Sequence, residues 1–332
     1  MTVPVPETLE QALSPDWLTT ALQPRFPGIE VSGVIPGPIV DRISTNARFS
    51  IESADGLALD LCVKGYFNDI GRAVRFVGAA EAGFYRDLAA ATGVRTLRSV
   101  YADIDAATQH GVVVTEDVVA QGATFLDGNS PYTADQTALT LEEFARLHAA
   151  TWAGPRYAEV PWLAPRLGRV LEVWGEPKTI EIIARNLDSE RDAHRLVDAY
   201  RDLAAEAATG TWCVIHGDAH VGNLVLDAAG AASLVDWQLV QRGKWYIDVG
   251  YHIASTLPVD ERRRNERDLL QHYLDALASH GVTPPSWDDA WQDIAGGMLH
   301  GFFLWGITTK VDPAIIVTLL HRLGTAVADR RQ

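Results

Sequence analysis

Apolar and polar residues alternate in short runs over the first part of the chain and recur at helical spacing over the rest. Val31 to Val40 is apolar, broken by Gly and Pro. Asn46 to Ile51 alternates, Asp55-Gly56 is a hairpin signal, and Leu57 to Lys64 alternates again. Gly71 to Ala91 carries a helix pattern that Thr92-Gly93 ends. Arg98 to Ala102 and Gly111 to Glu116 read as two more strands. Ahead of them, Ser14-Pro15-Asp16 before Trp17-Leu18 predicts a short leading helix, with a Ser cap and Pro at the first helical position.

The pattern then changes. Gly122 to Pro131 is loop-rich. Leu141, Phe144, His148 and Thr151 fall on one helical stripe, where His148 reads as a core histidine. Trp162 to Asn186 and Ser189 to Ala208 predict helices. Val214 and Ile215 look like the end of a buried strand. Leu224 to Leu226, a turn at Asp227 to Gly230, and Ser233 to Val235 predict a hairpin. Helices are predicted from Tyr246, over Glu266 to Ser279, over Trp287 to Leu304, and from Pro313 to about Ala328. No internal repeat or low-complexity linker interrupts the chain.

At 332 residues the chain can bury a large core, as one big domain or two lobes. Its hydrophobic content of 47% is that of a soluble globular protein. A net charge of -15 argues against nucleic acid and anionic membrane as partners, which need a basic footprint, and is compatible with a cationic substrate. Cys62 and Cys213 sit in apolar strand-like runs, as buried thiols of a reducing compartment do. The start of the chain has no basic segment leading an apolar core, so no signal peptide is expected. Gly296 to Ile307, the longest apolar run, is broken by His300 and too short to span a bilayer. The cytoplasm is the expected compartment.

Chemistry concentrates between Trp212 and Ala254. A polar loop, His216-Gly217-Asp218-Ala219-His220-Val221-Gly222-Asn223, follows the buried strand and leads into the hairpin that ends at Asp236. A hairpin brings its ends together, so Asn223 and Asp236 are expected side by side, with Asp218 one short loop away. Two carboxylates and an amide oxygen suit a hard cation such as Mg2+, which takes a few oxygen ligands plus substrate phosphates.

The series Asp218-x-x-x-x-Asn223, hairpin, Asp236 resembles the catalytic and metal-binding segment of protein kinases, with Asp236-Trp237-Gln238 in place of Asp-Phe-Gly. The form His-Gly-Asp-x-His-x-x-Asn is similar to that of the aminoglycoside phosphotransferase and choline kinase-like superfamily, including its ecdysteroid kinase-like branch. The resemblance implies an α+β, protein kinase-like two-lobe fold. Residues 1–117 would form a nucleotide-binding lobe, a small five-stranded antiparallel sheet with one helix, behind the short leading helix. Residues 118–332 would form a larger, mainly helical catalytic and substrate-binding lobe. It also implies an ATP-dependent transfer of phosphate to a small-molecule hydroxyl, with GTP as the alternative nucleotide.

Residue by residue, the resemblance makes Asp218 the base and Asn223 and Asp236 the Mg2+ ligands. Lys64 would contact the nucleotide phosphates, its rotamer fixed by Glu81, with Glu52 and Asp87 as nearby alternatives. The backbone near Glu116 to Val118 would meet adenine. Asp248 would brace the catalytic loop and His216 would hold its shape, while His220 is placed to contact the transferred phosphoryl. One departure stands out: kinases cover the phosphates with a Gly-rich loop, and here the turn Asp41 to Asn46 has no glycine. Ser44, Thr45 and Asn46 would supply backbone and hydroxyl donors instead.

Two other classes compete. His216-x-Asp218-x-His220 has a metallohydrolase ligand spacing, but that reading leaves Asn223, Asp236 and Lys64 unexplained. A nucleotide-binding pseudokinase module would normally lose the base or the metal aspartate, and both are kept. The acceptor is less determined. The negative charge suits an aminoglycoside, as for a 3'-type resistance phosphotransferase. The aromatics of the second lobe, with Gly301-Phe302-Phe303-Leu304-Trp305-Gly306 among them, favour a small hydroxylated, partly apolar compound.

Overall fold

A computed structural model describes residues 3–330; positions 1–2 of the first expected lobe and 331–332 of the second lie outside the described residues. The chain divides into two compact units. The first holds residues 1–91, 95–124 and 226–239; the second holds 92–94, 125–225 and 240–332.

The first unit opens with two short helices. In α1 (Leu9–Ala12), Thr8 and Gln11 close a reciprocal capping box. In α2 (Pro15–Leu22), Ser14 accepts from the Trp17 N–H and Pro15 stands at the first position, as its sequence implies. Five antiparallel strands follow: β1 (Val31–Asp41), β2 (Thr45–Ser53), β3 (Ala58–Gly65), β4 (Ser99–Ile104) and β5 (Gly111–Glu116), in the order β1-β2-β3-β5-β4. Strand alternation decides what each face does. Ala47, Phe49 and Ile51 of β2 and Leu61 and Val63 of β3 point into a core shared with Leu18 and Leu22 of α2. Cys62 and Lys64 take the opposite face of β3.

The helix pattern over Gly71 to Ala91 resolves into pieces. After α3 (Asp69–Ala73), capped by Asn68, comes α4 (Val77–Gly83), a π-helical turn at Phe84–Leu88, and α5 (Ala89–Thr92). Gly78 is one cause of the close packing here: a Cβ on it would meet the Tyr66 ring at 2.4 Å.

In the second unit the chain runs through β6 (Thr124–Phe125, its first residue in the first unit), α6 (Ala134–Thr151), α7 (Arg169–Trp174), α8 (Glu176–Leu187), α9 (Glu190–Ala207) and β7 (Cys213–Ile215). The single helix expected over Trp162 to Asn186 is broken, because Pro165, Gly168 and Gly175 interrupt it; Gly175 adopts φ +76°. Strand β8 (Leu224–Leu226) runs to the expected turn; the turn and β9 (Ala232–Leu234) belong to the first unit, and back in the second β10 (Gln241–Gly243) pairs antiparallel with β7. The helices α10 (Trp245–Thr256), α11 (Val259–Ser279), α12 (Trp287–Gly306) and α13 (Pro313–Asp329) complete the unit. No helix among the described residues is long and apolar enough to cross a membrane.

The buried helix α10 meets α12 through glycines. A Cβ on Gly250 would lie 2.0 Å from the Ile294 carbonyl oxygen, and one on Gly297 would lie 2.1 Å from that of Tyr246. Such contacts are backbone against backbone and cannot be relieved by a rotamer change. Gly250→Ala and Gly297→Ala should each lower the unfolding free energy by about 3 kcal/mol in urea titrations. Gly168→Ala, whose Cβ would meet only Ala204 at 3.7 Å, should leave it nearly unchanged.

Candidate active site

In the first unit, β3 delivers Lys64 and α4 delivers Glu81; their charged atoms are 2.7 Å apart. Neither Glu52 nor Asp87 takes this place, and Asp87 pairs with Arg86 instead. Asp236, 172 positions further along, accepts from the same ammonium at 2.8 Å. Burial pushes the Lys64 ammonium down, but the carboxylates of Asp236 and Glu81 outweigh it and hold it well above its ordinary value. Burial pushes the Glu81 carboxyl up, and Lys64 offsets only part of that. Lys64 is therefore the fixed positive charge of the set.

Asp236 sits in the left-handed region at φ +64°, a conformation that Asp tolerates better than most residues and that clusters at functional sites. Trp237 holds it there. Its ring is fully buried and stacks on Phe84 at 3.6 Å, and its indole N–H donates to Thr96 Oγ1 at 2.9 Å. Thr96 in turn donates to the Leu234 carbonyl at 2.8 Å. Thr96 and Phe84 were not singled out in the sequence, since neither carries a motif.

The glycine-free turn has its own support. Asp41 Oδ1 accepts from the Thr45 hydroxyl and from Asn68 Nδ2, both at 2.6 Å, and these hydrogen bonds hold its carboxyl below the usual range. Thr45 thus spends its hydroxyl inside the turn. Asn46 Nδ2 donates to Ser44 Oγ at 3.4 Å. At the end of β5, Glu116 pairs with Arg98 at 3.0 Å, and the Val118 carbonyl accepts from Gln121 and Ala123 N–H groups.

In the second unit the loop after β7 is gripped by α10. Asp248, fully buried, accepts from the backbone N–H groups of His216 at 2.7 Å and Gly217 at 2.8 Å. Its third partner is His148 Nε2 at 3.2 Å, and Tyr273 holds the other nitrogen of that ring at 2.8 Å. Burial pushes the Asp248 carboxyl up, yet the His148 bond, the neighbouring histidines and the Gly217 N–H hold it below its ordinary value. His148 is a core histidine, and also part of this support.

Each remaining loop residue has a defined role in the geometry. His216 Nδ1 accepts from the Asp218 N–H at 3.2 Å, and His220 Nδ1 from the Gly222 N–H at 3.0 Å. Ring nitrogens used this way do not suit a zinc site, and among the described residues no group of three His, Cys, Asp or Glu side chains could hold a metal. Asn223 Nδ2 donates to the Asp218 carbonyl at 2.7 Å, which fixes the amide within the loop and leaves Oδ1 as its acceptor atom. The side chain of Asp218 meets Tyr251 and His220, two contacts that the sequence did not announce.

This sheet, its lysine–glutamate pair and the larger helical unit define a protein kinase-like α+β fold. The model of the phosphotransferase enzyme family matches residues 77–288, and the chain belongs to that family: it is a small-molecule kinase. A comparison with curated proteins gives no match. Among solved structures, the choline kinase of Streptococcus pneumoniae is similar at 12% identity and a TM-score of 0.51, over 95% of this chain and 98% of that one. A spectinomycin phosphotransferase in complex with ADP and spectinomycin is similar at 10% identity and a TM-score of 0.54, over 97% and 100%. The ethanolamine kinase of Plasmodium vivax is similar at 11% identity and 0.52, over 93% and 86%. At these identities the likeness is one of fold.

Two predictions follow from the buried groups. In Asp248→Asn the amide nitrogen would face a backbone N–H, leaving a buried donor without an acceptor, and about 3 kcal/mol of stability should be lost in urea titrations. Burial also pushes His252 down to about 4, with its Nδ1–H donating to the Ala219 carbonyl. A depressed folded value means the unfolded chain binds the extra proton, so this stability is full above about pH 6.5 and lost as pH falls toward 4. The chain should therefore be less stable at pH 5 than at pH 7, by about 2 kcal/mol from this group. Equal urea midpoints at the two pH values would contradict it.

Proposed function

We propose that this kinase transfers the γ-phosphoryl group of ATP to a hydroxyl of a small molecule, with Asp218 as the base. The observation that carries the reading is the Lys64 ammonium held between Glu81 and Asp236, on a chain that also keeps Asp218 and Asn223 on a braced loop. Phosphoryl transfer needs positioning and charge neutralisation more than covalent chemistry, so this set is sufficient. Lys64 orients the phosphate oxygens, its rotamer fixed by Glu81. Asn223 and Asp236 are the residues that would hold Mg2+, which when bound neutralises phosphate charge. Asp218 accepts the proton of the attacking hydroxyl, and His220 stands beside it to meet the transferred group. Asp248 and His216 keep the loop in shape. Ser44, Thr45 and Asn46 cover the phosphates through their backbone, and Glu116 to Val118 meet the base of the nucleotide.

We assign residues 1–117 to nucleotide binding and 118–332 to catalysis and the acceptor. ATP is the preferred nucleotide, in keeping with ADP in the spectinomycin phosphotransferase structure; GTP is the alternative, in keeping with GDP in a kanamycin-bound relative of similar fold. The acceptor we favour is a small hydroxylated, partly apolar compound, in keeping with the many aromatic residues of the second unit. Choline and ethanolamine kinases and aminoglycoside phosphotransferases of similar fold stand side by side among the neighbours, so an aminoglycoside is the alternative acceptor. The cytoplasm supplies the nucleotide and keeps Cys62 and Cys213 as thiols.

A coupled ADP-release screen across aminoglycosides, amino alcohols, sugars, sterols and hydroxy acids tests the acceptor. Turnover of kanamycin-like compounds with nothing better among the partly apolar alcohols would overturn the choice. For the chemistry, Asp218→Asn should cut kcat by at least about 1000-fold with Mg-ATP binding retained, since it deletes the base and no phosphate contact. Asp236→Ala should weaken Mg-ATP binding itself, as read by calorimetry.

A further inference from the structure

We propose that Tyr251 is a positioning residue for Asp218, held in turn by Trp305, so that an indole N–H and a phenol O–H form a one-way donor chain ending on the base. The proposal rests on the reading of Asp218 as that base.

Trp305 Nε1 lies 2.7 Å from Tyr251 Oη, and Tyr251 Oη lies 3.2 Å from Asp218 Oδ1. The chemistry of the groups fixes the direction. An indole nitrogen only donates and a carboxylate only accepts. With the indole proton on its oxygen, the tyrosine hydroxyl must point its own proton at Asp218. Burial raises the Tyr251 phenol well above its ordinary value, so the proton stays. His220 adds a second contact on the same oxygen. Its Nδ1 accepts from Gly222, which leaves Nε2 to carry the proton, 3.7 Å from Asp218 Oδ1. Both contacts fall on Oδ1, and Oδ2 is thereby presented to the acceptor hydroxyl.

The surroundings make Tyr251 rigid. A Cβ on Gly301 would lie 2.3 Å from its ring, so α12 presses on it with bare backbone. Trp305 sits one turn further along α12 and packs edge-on against His220 at 5.2 Å. Tyr251 also lies three residues after Asp248 on α10, on the same helical face. One helix therefore grips the backbone of the loop with Asp248 and the side chain of its base with Tyr251. A base displaced by about 1 Å loses on the order of 100-fold in rate, so the hydroxyl matters even though it meets no substrate atom.

The test uses the full chain, ADP release from Mg-ATP with water as the acceptor, and the 1H–15N resonance of the Trp305 indole. Tyr251→Phe keeps the ring and should lower kcat by about 10- to 100-fold with the KM for Mg-ATP within twofold. Trp305→Phe should lower it about 3- to 10-fold, and the double variant should be no slower than Tyr251→Phe, because Trp305 acts through the hydroxyl. In the otherwise native chain Asp218→Asn should shift the indole resonance, and this readout needs neither turnover nor a Tyr251 variant. Tyr251→Phe within twofold of native kcat, while Asp218→Asn is inactive, would overturn the proposal and leave the base standing. Multiplying losses in the double variant, or an indole resonance indifferent to Asp218→Asn, would also overturn it. An Asp218→Asn enzyme that keeps its rate would remove the base reading and this proposal with it.

Discussion

A carboxylate with no solvent exposure, Asp248, is the constraint on which the second unit's loop depends. A charge that deep costs several kcal/mol unless every lone pair is answered. The answers come from the very backbone it must organise, the N–H groups of His216 and Gly217. The loop is buried too, so its own polar groups need partners as much as Asp248 does. They find them in order: the Gly217 carbonyl faces His300, the Asp218 N–H faces His216, the Asp218 carbonyl faces Asn223, and the Ala219 carbonyl faces His252. Four backbone groups on three consecutive residues, Gly217 to Ala219, thus meet side chains, where a strand or helix would have used backbone. That is why the segment can hold a non-repeating shape, with Gly217 at φ +80°, and keep it.

The first unit solves a similar problem with an aromatic. Asp236 must hold a left-handed conformation that costs of order 1 kcal/mol or more, so its neighbours must over-determine it. Trp237 does this with area and direction together. Its ring fills space against Phe84, and its N–H reaches Thr96, which also caps the Leu234 carbonyl. A phenylalanine at this place, as in protein kinases, would supply the area without the hydrogen bond. The stretch Leu226–Leu239 belongs to the first unit through these contacts, although its flanks on both sides belong to the second.

The sequence made the sheet legible because strand period and hairpin turns are local. Asp55-Gly56, the alternation of β2 and β3, and Ser14-Pro15 each declare themselves within a few residues. The same holds for the spacing from Asp218 to Asn223 and on to Asp236. Legibility failed where a helix pattern hid breaks that depend on glycine and proline context, as at Gly168 and Gly175, or on tertiary packing, as at the π-turn of Phe84–Leu88. It failed again for the hydrogen bonds of Tyr251, Trp305 and Thr96, and for the bond by which the core histidine His148 supports Asp248. In each the polar atom meets a partner from a distant segment, and separation along the chain erases any periodic signal. His148 and Asp248 are 100 positions apart, and Tyr251 and Trp305 are 54 apart.

Charge balance explains why two carboxylates share one ammonium in the first unit. Lys64 carries one positive charge against Glu81 and Asp236, so the set holds a surplus of negative charge. The two carboxylates do not share that surplus evenly. Glu81 has a 6% exposed side chain and is fixed beside Lys64, with the Trp237 backbone N–H as a further partner. Asp236, at 36%, remains open to solvent. The position of Glu81 therefore does more than hold Lys64: by taking the buried half of the pairing, it leaves Asp236 as the more exposed carboxylate of the set.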